Sequence, residues 1–280
     1  MSQADIDQLA SWRTLGARNS QQVVALAPKV LAAGGLGDAE WSVREQLAIA
    51  ALDLGQVSLA NAEIRALETR FPRSPRVDIL LGLKLEARGE LLRAGEVYKL
   101  LLQKDETNVS ALQRFVALAP TREETITRLL KYLDTFYADP QGWSLLAELY
   151  ADAGAYAQSL TALGHLMVLQ TWDSMAVERT AETAYTMGDY QLALKYYLRA
   201  VEMETPPTGK PDGHRSRAWW GVKMSSRRLL ESKAKKIGTA VPDNSITSRA
   251  QLEKLEALAT ERILAIGGTG MEVRRAVLGG

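Results

Sequence analysis

Four glycines constrain this chain more than any other feature: Gly55 to Gly89 and Gly154 to Gly188 are each 34 residues apart, and Gly89 to Gly154 is 65, three short of two such periods. Each glycine closes an apolar, helix-like run (AIAALDLG, GLKLEARG, LAELYADAG, AETAYTMG), and a second run follows it. A helix, a tight turn and an antiparallel helix that recur at fixed period form a hairpin that cannot bury its apolar face alone. The chain is therefore expected to stack one hairpin on the next.

With each glycine set at position 15 of its unit, the rest of the pattern falls into register. Small residues stand where two helices must cross closely, with Ala48, Gly82, Ala147 and Ala181 at position 8 and Ala60, Ala94, Ser159 and Ala193 at position 20. Bulky Ile64, Tyr98, Leu163 and Tyr197 at position 24 fill the space left open. This is the pattern of a tetratricopeptide-type array. A further unit lies between Val109 and Asp139, with Phe115, Val116 and Ala119 on its first helix and Ile126, Leu129, Leu130 and Leu133 on its second. Its turn is shorter: Pro120 stops one helix, and Thr121 with Glu124 has the spacing of a capping box for the next. Ser74 before Pro75 and Asp139 before Pro140 each place a side-chain acceptor at an N-cap and proline at the first helical position.

The predicted fold class is all-α, a right-handed superhelical solenoid of tetratricopeptide-type hairpins with flanking helices at both ends. Residues 1–39 are expected to supply capping helices through Leu9, Trp12, Val23, Val24, Leu26, Val30 and Leu31, and 40–205 five repeats. Residues 206–280 read as a divergent sixth helical pair and a mobile or partner-held tail. In that region a helix is expected from about 217 to 236, with Trp220, Gly221 and Met224 at positions 7, 8 and 11 of a sixth unit. Its companion starts at a capping box of Ser248 and Gln251, and the stretches TPPTGKPDGHRS and GTAVPDNSITS read as loops.

At 280 residues, 46% hydrophobic and 24% charged with a formal net charge of +1, the chain can bury a continuous core and has no electrostatic reason to seek a polyanion. No apolar run reaches the roughly 20 residues of a membrane helix, and the start MSQADIDQLASWR is unlike a secretion signal. With no cysteine there is no disulfide, thiol chemistry or cysteine-zinc site. The two histidines, His165 and His214, lack ligand spacing, and the glycine clusters at 34–37 and 267–270 lack the Lys-Ser/Thr of a phosphate loop. The expectation is a protein that is not an enzyme, with no catalytic residue, metal or cofactor.

Arrays of this type offer the first helix of each unit, at positions 5 and 9, to partners. Those residues are Glu45 and Ile49, Ile79 and Leu83, Gln113 and Ala117, Ser144 and Glu148, and Glu178 and Glu182. A groove with an apolar N-terminal part and an acidic C-terminal part suits a segment with an apolar face and a basic end. The competing reading is that Ile49, Ile79 and Leu83 pack against the N-terminal helices. A carboxylate clamp of the co-chaperone kind would need several aligned cations or amides, and of the corresponding positions only Arg114 is suitable. A free peptide-binding adaptor or co-chaperone is therefore the second reading. The basic stretch 210–236, with Arg227, Arg228, Lys233, Lys235 and Lys236, is a candidate for lipid headgroups or an acidic partner, with alternating charge on a solvated helix as the alternative. Aromatic interleaving there is limited to Trp219 and Trp220, so nucleic acid is not an expected partner.

The stretches WRTLGARNSQQVVALAPKVL, ALETRFPRSPRV, GLKLEARGELLRAGEVYKLLLQKDETN, GWSLLAELYADAGAYAQSL and YTMGDYQLALKYYLRAVEME, in this order, resemble subunit 2 of the endoplasmic reticulum membrane protein complex. The RNSQQVV and RFPRSPRV segments carry most of the specificity. After Thr205 the likeness is confined mainly to RAWWGVKMSS and a late helix. The resemblance implies a non-catalytic scaffold on the cytosolic face of the endoplasmic reticulum membrane, peripheral and without cofactor. It would bind cytosolic segments of integral membrane partners, and a further soluble subunit, within an insertase for tail-anchored and multi-pass proteins.

Overall fold

The computed structural model describes residues 3–204, 216–231, 238–266 and 270–278, in which every regular element is helical. The chain divides into two compact units, Met1–Arg128 and Leu129–Gly280.

The first unit holds α1 (Gln3–Thr14), α2 (Ser20–Ala33), α3 (Ala39–Asp53), α4 (Val57–Arg70), α5 (Pro75–Ala87), α6 (Leu91–Lys104), α7 (Val109–Ala117) and the start of α8 (Arg122–Thr135). The second holds the rest of α8, then α9 (Pro140–Asp152), α10 (Tyr156–Leu169), α11 (Ser174–Met187), α12 (Tyr190–Glu204), α13 (Ser216–Glu231), α14 (Arg249–Ala265) and α15 (Met271–Leu278). Within each unit most neighbouring helices pack on one another, α1 to α7 in the first and α9 to α15 in the second.

The periodic glycines make those turns possible. Gly55, Gly89, Gly154 and Gly188 all have φ between 68° and 93°, the left-handed region that a side chain disfavours. The residue after each donates its N–H five residues back, from Gln56, Glu90, Ala155 and Asp189 to the carbonyls of Ala51, Leu85, Tyr150 and Ala184 at 2.8–3.0 Å. That bond satisfies a carbonyl the ending helix would otherwise leave open.

The small residues lie at the crossings as expected. Ala60, Ala94, Ser159 and Ala193 are all at most 1% exposed. The Ser159 hydroxyl donates to the Ala147 carbonyl at 2.8 Å, so positions 20 and 8 of one unit touch directly. A Cβ added at Gly82 would overlap the Tyr98 ring, and one at Gly221 the Tyr197 ring. Glycine and tyrosine are thus one packing decision made twice.

Helix starts follow the caps with two corrections. Asp139 accepts from the Gln141 N–H at 3.0 Å, and Ser248 with Gln251 forms a complete capping box. Ser74 sits at the N-cap of α5 before Pro75, but its hydroxyl caps nothing; its carbonyl takes the N–H groups of Val77 and Asp78 instead. At α8 only half of the expected box forms. Thr121 accepts from the Glu124 N–H, while the Glu124 carboxylate turns to Arg128.

At the N-terminus, Leu9, Val23, Ala27 and Val30 of α1 and α2 bury against Val43, Leu47 and Ala50 of α3. Beyond α13 the segment 238–248 is docked, which its loop-like composition did not announce. Buried Asp189 accepts from Thr239 Oγ1 at 2.7 Å, the Ala240 N–H at 2.8 Å and the Leu192 N–H at 3.0 Å. Gln191 Oε1 adds a bond from the Thr247 N–H. Near the C-terminus, Met271–Leu278 is helical, and Arg274 donates to the Ile266 carbonyl.

Candidate functional site

In the first unit Glu45 is half-buried and bound by Arg76 at 2.7 Å, with Arg13 close enough to feel its charge. Ile49 is half-buried beside Trp12, Arg13 and Val23, so it does border the N-terminal helices. Ile79 and Leu83 do not: Ile79 packs on the Ala94, Tyr98 and Leu101 cluster, and Leu83 on the cluster of α3 to α5. Each leaves part of its surface open. Gln113 is exposed.

Arg114, the one residue suited to a carboxylate clamp, is already taken. Its guanidinium forks onto Glu86, which also accepts from the Tyr98 hydroxyl. Burial and this carboxylate push the Tyr98 hydroxyl well above the usual tyrosine range.

One concavity of the first unit was missed by sequence reasoning. A cleft of about 380 Å³ is lined by Trp41, Leu67, Phe71, Val77 and Leu80, with Glu45, Arg70, Ser74 and Arg76 around it. Trp41 and Phe71 meet edge to face at 5.5 Å, and the Arg70 guanidinium lies 5.6 Å from one ring centre and 5.5 Å from the other. The signal for it was the RFPRSPRV segment, whose turn carries Arg73 at φ 62°.

In the second unit the acidic positions differ from one another. Ser144 Oγ accepts from Arg179 at 2.7 Å, and Glu148 is exposed. Glu182 is held by both arms of Arg217 at 2.5 and 2.7 Å. Glu178 is only 3% exposed. Its burial, followed by the charges of Glu204 and Glu182 and opposed by Arg217, raises its carboxyl above the usual range. The acidic end is thus one exposed carboxylate, one paired and one buried.

The basic stretch is less open than its composition suggests. Arg227 pairs with Glu231 at 2.8 Å, and Arg228 donates to the Tyr185 hydroxyl, although both arginines are exposed. Lys233, Lys235 and Lys236 lie outside the described residues, as do His214 and the rest of 205–215, which the sequence reads as a loop. His165 stacks on Trp143 with ring centres 4.1 Å apart. Among the described residues there is no group of three metal-ligating side chains, and no helix is long and apolar enough to cross a membrane.

Comparison with known proteins adds identity to this geometry. The tetratricopeptide-repeat family model matches residues 45–109. The chain is 33% identical over 234 residues to ER membrane protein complex subunit 2-B of Xenopus laevis, covering 81% of this chain and 76% of that protein. It is 29% identical over 257 residues to the TPR repeat protein oca3 of Schizosaccharomyces pombe, covering 88% and 83%. Among solved structures, the C-terminal part of a TPR repeat-containing protein from Cytophaga hutchinsonii aligns with TM-score 0.59 over 96% of this chain and 98% of that one, at 13% identity, a likeness of fold alone.

Proposed function

The chain belongs to the ER membrane protein complex subunit 2 family, and from that premise we propose that it is a non-catalytic scaffold subunit of such a complex. It sits peripherally on the cytoplasmic face of the endoplasmic reticulum membrane and organises an insertase for tail-anchored and multi-pass proteins by holding cytosolic segments of integral membrane subunits. The observation that carries this reading is a match that runs across both flank and repeats, beyond the 45–109 stretch that any tetratricopeptide protein would share. The engagement of Arg114 by Glu86 weighs against the co-chaperone alternative, because it removes the one cation a carboxylate clamp would have used.

Each unit offers a surface of its own. The half-open Ile49, Ile79 and Leu83 give the first unit apolar contact area, and in the second exposed Glu148 offers a free negative charge while Glu182 holds Arg217. Apolar anchors supply most affinity, while rim charge sets encounter rate and orientation. The test is assembly of variants whose circular dichroism matches the parent. Glu148→Lys with Glu182→Lys slows incorporation into the membrane complex and weakens its salt dependence. Ile79→Asp with Leu83→Asp abolishes it. Folded variants of both kinds that assemble like the parent would remove these surfaces from the account.

A further inference from the structure

Ser74 is the only serine of the chain that precedes a proline, and Pro72 stands two residues before it, so the segment reads Pro-Arg-Ser-Pro. A proline disfavours the helical conformation in the residue before it, and Ser74 is accordingly extended, with φ −74° and ψ 125°. Pro72, Arg73, Pro75 and Arg76 are all exposed where α4 gives way to α5. Ser74 itself is half-buried, and its hydroxyl makes no hydrogen bond to the described residues. Ser248, at the N-cap of α14, is by contrast closed into a capping box. An extended serine with an unused hydroxyl, proline on both sides and an accessible backbone is what a proline-directed protein kinase takes as substrate.

Three arginines flank the same serine. Arg73 precedes it at φ 62° and has no carboxylate partner among the described residues. Arg70 lies over the rings of Trp41 and Phe71 and has none either. Arg76 is paired with Glu45 at 2.7 Å, although its side chain is 73% exposed. Ser74, Arg70, Arg76 and Glu45 line one cleft, with Asp38 as the remaining charged group on its wall. A phosphate carries about −1.5 to −2 charge at neutral pH and three strong acceptor oxygens, so beside these arginines it outcompetes a single carboxylate.

We propose that Ser74 is a phosphorylation site and that its phosphate draws Arg76 off Glu45, switching the charge of the cleft. In the transfer, Ser74 Oγ attacks the γ-phosphorus of a nucleoside triphosphate held by the kinase. The Oγ–P bond forms, the bond from that phosphorus to the bridging oxygen breaks, the hydroxyl proton passes to the kinase's catalytic carboxylate, and nucleoside diphosphate leaves. Unmodified, the charged groups of the cleft wall cancel, Arg70 and Arg76 against Asp38 and Glu45. The phosphate leaves a negative excess, which favours a cationic partner segment and repels an acidic one. Glu45 stands at position 5 of its repeat, so the released carboxylate becomes available to that partner. This consequence rests on the scaffold reading, whereas the modification itself does not.

The full chain is incubated with magnesium-ATP and a purified kinase of the mitogen-activated type, which prefers proline on both sides of its acceptor, and the product is mapped by mass spectrometry. Phosphate on Ser74, and none at that position in Ser74→Ala, is the expected result. Thr205, the only threonine before a proline, lacks the flanking arginines and serves as the internal comparison. Phosphate on Thr205 alone, or on neither residue, overturns the site. The full chain with phosphoserine installed at position 74 then tests the switch through its phosphorus-31 resonance. Its second ionisation is expected at about 5.5, below the ordinary value of about 6, because the arginines favour the dianion. In the chain that also carries Arg73→Gln and Arg76→Gln it returns to the ordinary value. The Arg76 Nε–H resonance, identified by its loss in Arg76→Gln, shifts along the same titration. A phosphate that titrates at the ordinary value with those arginines in place, or an Arg76 resonance indifferent to it, overturns the switch. Both measurements use the chain alone, so their failure leaves the scaffold reading standing. Failure of the chain to recover membrane proteins sinks that reading and leaves the Ser74 result intact.

Discussion

At the scale of single residues, the fold is held by volume. Ala60, Ala94 and Ala193 are fully buried at helix crossings, where a larger side chain has nowhere to go. Replacing each by Leu is expected to destabilise the chain by about 1–3 kcal/mol, read as a lower midpoint of helical signal against temperature. Unchanged midpoints at all three sites would contradict the register. Glu178 gives a prediction of a different kind. Its carboxyl is raised by burial, so its protonated form is favoured in the folded chain. The stability linked to it is fully present below the ordinary glutamate value of 4.5 and is lost as pH rises through the folded value. Parent and Glu178→Gln should therefore melt most alike in acid, with the variant gaining on the parent toward neutral pH. A constant gap across that range would show that the carboxylate is already compensated. The small residues were legible because a crossing's volume limit is written in the side chain itself. The state of Glu178 was not: Glu45 occupies the same repeat position with Arg76 on it, and only the surrounding helices distinguish the two.

At the scale of elements, ends are set locally and docking is set at a distance. The periodic glycines and the caps at Asp139 and Ser248 could be read because donor and acceptor lie within a few residues. The strap 238–248 could not, because its anchor Asp189 is about fifty residues earlier, and α15 could not, because eight residues are too short a run to establish a helical period. The cleft of Trp41 and Phe71 was hidden for the same reason as the strap. Asp189→Ala removes the acceptor of three donors at once. We expect it to cost about 1–3 kcal/mol and to speed amide exchange at Ala240 and Leu192 well before the rest of α12 is affected. Exchange at Ala240 as slow as in the parent would mean that the strap is held by other contacts.

At the scale of the whole molecule, two stacked-hairpin units supply surface and little chemistry, and the family assignment says what such surface is for. Repeats, flank and family were visible from the glycine period and the RNSQQVV and RFPRSPRV segments. The face each partner takes was not, since exposure and pairing depend on helices that meet only in three dimensions. The central claim is that this chain is a stoichiometric scaffold of a membrane complex. Affinity purification of the tagged full chain after detergent extraction, followed by quantitative mass spectrometry, tests it directly. The account predicts integral membrane proteins recovered in near-equal amounts with the chain and retained through a salt wash; recovery of the chain alone, or with soluble chaperones in their place, would contradict it.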